Sequence, residues 1–138
     1  MKIRYDEKLM KIMNLFNSLT QAKLRDCIIT RGFIVFVVEP GEAGKAIGKH
    51  AKNVRLLEKK LKKKVKIVEF STDVLQFIKN YIAPIKAKDI KQEAFGTVVI
   101  TPKDLTGRGL LIGRGAENLR TMEEIAKRYY SVKEIKVI

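Results

Sequence analysis

Apolar positions along this chain switch between two periodicities, and the whole order of switches occurs twice. Leu9, Ile12, Met13 and Phe16 recur at helical spacing, so a helix is expected over residues 6–19. Strand-like stretches follow at Leu24–Thr30, closed by Arg31-Gly32, and at Phe33–Val38, ended by Pro40. A short helix is expected over Glu42–Ile47. A longer one over Ala51–Lys62 carries Val54, Leu57 and Leu61 on one stripe, and a strand over Val65–Phe70 closes the half.

The second half runs through the same series. A helix over Thr72–Ile82 carries Leu75, Ile78 and Ile82. Strands follow over Ile85–Glu93 and Thr97–Thr101, then a short helix over Asp104–Ile112. A longer helix over Ala116–Tyr129 carries Leu119, Met122 and Ala126, and a strand over Val132–Ile138 comes last. The pattern predicts an α+β chain of two like domains, residues 1–70 and 71–138. Ser71-Thr72-Asp73 reads as a helix N-cap cluster and not as a Pro/Ser-rich linker, so the two are expected to pack together.

Between the short and long helices the repeat is literal. Ile47-Gly48-Lys49-His50-Ala51-Lys52-Asn53-Val54-Arg55 aligns without a gap to Ile112-Gly113-Arg114-Gly115-Ala116-Glu117-Asn118-Leu119-Arg120. The same offset pairs Gly44 with Gly109 and Glu58 with Glu123. A glycine between helices lets the backbone approach a ligand, and the unpaired N–H groups opening the next helix favour an anion. Lys49 and Arg114 supply counter-charge. One copy alone is compatible with an ordinary helix–helix turn; two copies in one context point to a phosphate-binding loop.

Charge supports that partner. Of 138 residues, 29 are basic and 15 acidic, a net charge of +14, and the first 70 residues carry more than two-thirds of the excess. A surface of this kind attracts phosphate backbones. The basic segment Lys59–Lys66 reads chiefly as a solvated helix end whose lysines suit the C-terminal dipole, with long-range attraction of a polyanion as a secondary effect. No apolar run is long enough to span a membrane, and residues 1–5 carry no apolar leader core. A single cysteine, Cys27, is expected in the core and fits a cytoplasmic location. With His50 the only histidine and the acids scattered, no metal cage, cofactor or acid–base pair is expected. Ala43 and His50 break the phosphate-loop pattern of nucleotide hydrolases around Gly48-Lys49.

Pro40-Gly41-Glu42-Ala43-Gly44-Lys45-Ala46-Ile47-Gly48-Lys49-His50-Ala51 and Leu110-Leu111-Ile112-Gly113-Arg114-Gly115-Ala116-Glu117-Asn118-Leu119-Arg120 resemble the G-x-x-G region of the KH family. The element order is similar to the type II KH fold, and its doubling is similar to the tandem KH region of the NusA transcription factors. The resemblance spans essentially the whole chain. It implies two type II KH domains, each a three-stranded sheet with helices on one face, that clamp single-stranded RNA about four nucleotides at a time. The implied RNA-binding residues are Gly48, Lys49, His50, Ala51, Asn53 and Arg55, and Gly113, Arg114, Gly115, Ala116, Asn118 and Arg120. Ile47, Val54, Ile112 and Leu119, with parts of the Phe33 and Thr97 strands, are the implied lining beside the bases, although for each of the four a place in the core is the safer reading. The implied role is a non-enzymatic factor acting on nascent transcripts in elongation, termination or antitermination, with RNA polymerase as a further partner. The short archaeal form is the better match, since there is no room for the bacterial protein's other regions. A ribosome- or RNA-processing-associated protein and a protein-interaction adaptor without RNA remain the alternatives. The last loop position departs from the family, being Ala51 and Ala116. As it opens a helix, helical dihedrals are expected there.

Overall fold

The computed structural model describes residues 2–138, with side chains from Glu7 onward. Met1, where the first expected domain begins, and the side chains behind the leader reading lie outside the described residues. The described chain divides into two compact units, ending and beginning at Phe70 and Ser71. The first contains α1 (Lys2–Thr20), β1 (Leu24–Ile29), β2 (Phe33–Val38), α2 (Ala43–Ile47), α3 (Lys52–Leu61) and β3 (Lys64–Glu69). The second contains α4 (Val74–Ile82), β4 (Ala87–Glu93), β5 (Thr97–Pro102), α5 (Leu105–Ile112), α6 (Glu117–Tyr129) and β6 (Glu134–Val137). It is an α+β structure with one three-stranded sheet per unit, ordered β1-β2-β3 and β4-β5-β6.

Connection length explains the strand directions. A tight turn joins β1 to β2, and the pair is antiparallel, with Cys27 opposite Phe36. The helix pair α2–α3 carries the chain back before β3, so β2 and β3 are parallel, with Ile34 opposite Val65. The second sheet repeats both relations, pairing Ile90 with Ile100 and Val98 with Ile135. Even the irregularity repeats: register slips between Leu24 and Asp26, and again between Ala87 and Asp89.

In the first unit alternate residues of β2, namely Ile34, Phe36 and Val38, join Ile12, Phe16, Cys27, Ala46 and Leu57 in one buried cluster. Phe16 and Phe36 stack with centroids 4.5 Å apart. Cys27 is in the core as expected, and burial, with help from Asp26, pushes its thiol up to about 12. In the second unit Phe77, Ile78, Val98, Ile100, Met122, Ile125, Ala126 and Ile135 are buried. Tyr129 and Tyr130 pack on Phe77 at 5.6 and 5.4 Å between centroids, and the Tyr130 hydroxyl donates to the Ser71 carbonyl. β4 starts two residues later than expected because the Ile85 N–H is used by the Ile82 carbonyl in the turn after α4.

Each long helix is stapled to the strand that follows it. Glu58 on α3 accepts a hydrogen bond from the Val65 N–H at 3.0 Å. Glu123 on α6 accepts one from the Ile135 N–H at 2.9 Å. This is the physical meaning of the Glu58/Glu123 match. Replacing either glutamate with alanine leaves a half-buried N–H without its acceptor and is expected to cost about 1–3 kcal/mol, most of which glutamine restores. Urea denaturation checks the cost, and faster amide exchange at Val65 or Ile135 locates it.

Candidate nucleic-acid interface

The repeated segment folds as two loops of nearly one shape. Gly48 has φ 79° and ψ 167°, and Gly113 has φ 74° and ψ 174°. Only glycine occupies that region readily. The third position is left-handed in both, at φ 54° for His50 and 61° for Gly115. The fourth is left-handed too, at φ 57° for Ala51 and 61° for Ala116. This corrects the expectation of helical dihedrals at Ala51 and Ala116: both are N-caps outside the helix, and α3 and α6 begin one residue later. A left-handed L-residue costs roughly 1–2 kcal/mol, so the loop shape is held against local preference.

What holds it is an asparagine. The Asn53 amide donates to the Lys45 carbonyl at 3.1 Å, and the Asn118 amide donates to the Leu110 carbonyl at 3.0 Å. Each bond ties the first turn of the long helix to the last turn of the short one, satisfying a carbonyl the short helix leaves open. The asparagine also lies against the glycine. A Cβ on Gly48 would come within 2.9 Å of the Asn53 side chain, and one on Gly113 within 2.6 Å of Asn118. Asn53 and Asn118 thus brace the loops. Further bonds from Gly48 N–H to the Gly44 carbonyl and Gly113 N–H to the Gly109 carbonyl close the short helices, which places the repeated Gly44 and Gly109.

The remaining candidates surround this frame. Lys49, His50, Arg114 and Gly115 are exposed at the loop tips, and Arg55 and Arg120 are exposed one turn into α3 and α6. Among the described residues none of Lys49, Arg55, Arg114 and Arg120 forms an ion pair. Beside each loop lies an apolar shoulder. Ile47 is 36% exposed, and Val54, Ile112 and Leu119 are half-buried. Leu110 on α5 is 56% exposed and was not singled out, because helical spacing alone does not distinguish it from Leu111, which is buried. No group of three or more metal-ligating side chains occurs among the described residues, and no described helix is long and apolar enough to cross a membrane.

Known proteins are similar to this chain over most of its length. The KH domain family matches residues 12–94. The chain is 36% identical over 137 residues to the probable transcription termination protein NusA of Methanocaldococcus jannaschii, covering 96% of this chain and 73% of that protein. It is 36% identical over 140 residues to the protein of the same description from Methanococcus vannielii, covering 100% and 81%. A third, from Halococcus morrhuae, is 28% identical and covers 99% of both. Among solved structures, the crystal structure of APE1850 superposes with a TM-score of 0.73 at 28% identity, covering 94% of this chain and 96% of that one.

The loop geometry ranks its glycines. Gly113→Ala puts a Cβ into the braced Asn118 and forces alanine into a region reserved for glycine, at an expected cost of about 2–4 kcal/mol. Gly115→Ala meets nothing within 4 Å. Its expected cost is only about 1 kcal/mol, set by the left-handed backbone. Ala51→Gly and Ala116→Gly should stabilise by up to about 1 kcal/mol, relief of strain outweighing the added unfolded-state entropy. Thermal melts of the four variants test the order.

Proposed function

This chain belongs to the KH domain family as a relative of the archaeal NusA proteins, and from that premise we propose that it is an RNA-binding transcription factor that grips single-stranded nascent transcripts and so affects elongation, termination or antitermination. Units 1–70 and 71–138 are proposed as two KH domains of type II, and the two loops as their RNA clamps. RNA polymerase, from which such a transcript emerges, is the proposed second partner. The work done is binding, with no bond made or broken.

The observation that carries this reading is the shared shape of the two loops despite their different sequences. Lys-His-Ala and Arg-Gly-Ala adopt the same left-handed path behind a glycine, and each path is braced by an asparagine. Side chains that differ while the backbone stays constant support a site that works through its backbone. N–H groups opening α3 and α6 would meet a phosphate, with Lys49 or Arg114 as counter-charge. The shoulders Ile47–Val54 and Ile112–Leu119 would carry the bases, reached only when unpaired, about four nucleotides per loop. Asn53 and Asn118 act by holding the loop, while Lys49, His50, Arg55, Arg114 and Arg120 act at the ligand.

Lys49→Asp with His50→Asp, or Arg114→Asp with Gly115→Asp, places carboxylates where phosphates would sit. Each pair is exposed, so stability should change by no more than about 1 kcal/mol while affinity for single-stranded RNA falls at least about tenfold. Fluorescence anisotropy with an unstructured oligonucleotide reads the loss. For four to eight contacted phosphates the salt dependence of the parent should have a slope of roughly −3 to −6 in log–log form. Duplex RNA of equal length should bind more weakly. Folded loop variants that bind RNA like the parent would remove the clamp assignment, and a partner protein kept by those variants would favour an adaptor.

A further inference from the structure

The two long helices share a frame but present opposite outer faces. Sixty-five positions apart, Lys52 corresponds to Glu117, Arg55 to Arg120, Lys59 to Glu124 and Lys62 to Lys127. On α3 Lys52, Arg55 and Lys59 follow one another at spacings of three and four, which stacks them along a single helix face, and Lys62, the cap three residues beyond, continues the series. That face is turned away from the core: all four are exposed, whereas Leu57 on the other side is fully buried. On α6 the same face alternates acid and base, and Lys127 is paired with Glu123 at 3.7 Å.

Helix stability does not account for the α3 stripe. Like charges three or four residues apart repel, and among the described residues none of the four has an ion-pair partner. Lys52 is the first residue of α3, where the helix dipole favours an acid, as Glu117 provides on α6. Lys62 closes α3 at φ 55°, a left-handed cap where glycine is the common choice. A C-terminal dipole effect accounts for Lys59, Lys60 and Lys62 but not for Lys52 at the opposite end. The stripe also begins beside the loop, since Lys52 directly follows the last loop residue, Ala51, and it runs about 15 Å along the helix.

We propose that Lys52, Arg55, Lys59 and Lys62 form a phosphate track on the outer face of α3, which takes the RNA backbone beyond the nucleotides held at the Gly48 loop. The two units are then unequal: the first grips a longer stretch, and the second, lacking the track, is confined to its loop. This rests on the RNA-binding reading above and names the part of the ligand that reading leaves undescribed. The chemistry is that of a polyanion with regularly spaced charges. Lysines on one helix face meet it as separate point charges without reading base identity.

The test compares two full-length variants that lose the same charge. Lys59→Gln with Lys62→Gln empties the far end of the track, and Lys60→Gln with Lys64→Gln removes two exposed lysines that are not on it. Both are titrated at about 0.15 M salt, where screening over roughly 8 Å isolates the far end of α3 from the loop. Probes are a four-nucleotide RNA and a twelve-nucleotide unstructured RNA. The track variant should bind the short RNA within about twofold of the parent. It should lose about tenfold or more on the long one, with a log–log salt slope shallower by about 1.4, two contacts at 0.7 each. The off-track variant should keep the parental slope on both. Equal losses for the two variants, or for the two RNA lengths, would mean diffuse attraction and overturn the track. Unchanged binding of both RNAs by the track variant would also overturn it and leave the stripe to another partner, such as an acidic protein surface. The loop variant Lys49→Asp with His50→Asp is run alongside. If it binds short RNA like the parent, the clamp reading fails; if it loses short RNA while the track variant behaves as the parent, only the track fails.

Discussion

The contact between an asparagine and a glycine governs the functional end of each unit. Gly48 and Gly113 lie in a backbone region closed to other residues, and Asn53 and Asn118 fill the space a Cβ would need. The amide then reaches back to the preceding helix, so one side chain sets both the bend and the distance between the two helices. The third and fourth loop residues, between that glycine and the braced helix, are left-handed in both copies. The first glycine is obligatory. The fourth position, where the family pattern has glycine, tolerates Ala51 and Ala116, because left-handed dihedrals are costly for alanine but not forbidden.

The strain exceeds what the brace returns. Two L-residues, His50 and Ala51, are left-handed in the first loop, a cost of roughly 2–4 kcal/mol, whereas an asparagine hydrogen bond contributes about 1 kcal/mol. The difference is carried by the helices on either side. Ala46 on α2 and Leu57 on α3 are wholly buried, as Leu111 and Met122 very nearly are in the second unit. Glu58 and Glu123 fix the long helices to the sheets. A loop anchored at both ends by packed helices cannot relax, and that is the condition for holding backbone N–H groups ready for a ligand.

Much of this was readable from periodicity. β2 was expected over Phe33–Val38 and is found there, and the remaining elements were located with their ends displaced by a few residues. Apolar spacing reports which face of a helix is buried, and that is a local property. Other features depend on groups far apart in sequence. Nothing local marks Asn53 as a brace, since its partner is eight residues away across a bend. Glu58 was recognised as repeated, but its acceptor role depends on where β3 begins. The left-handed Ala51 and Ala116 were misread because alanine's local preference is helical, and the tertiary brace overrides it. Ile47 looked like core by composition and is exposed because α2 ends there and the chain bends away.

Duplication also separates what the fold requires from what it leaves free. The glycine, the bracing asparagine, the stapling glutamate and the register slip in the first strand pair occur in both units, and each has a structural reason to be there. Features that differ cannot be demands of the shared frame. Lys52 and Glu117 occupy the same place at a helix start, where the dipole prefers the glutamate, so the lysine reflects a requirement outside folding. His50 and Gly115 share one left-handed position, and histidine there is the costlier choice. Both costlier choices fall in the first unit, the half with the larger net positive charge. Stability alone would have drawn the two copies together at these positions. The divergence points to a division of labour in which the first unit carries most of the attraction for a polyanion and the second offers the same cradle with less charge.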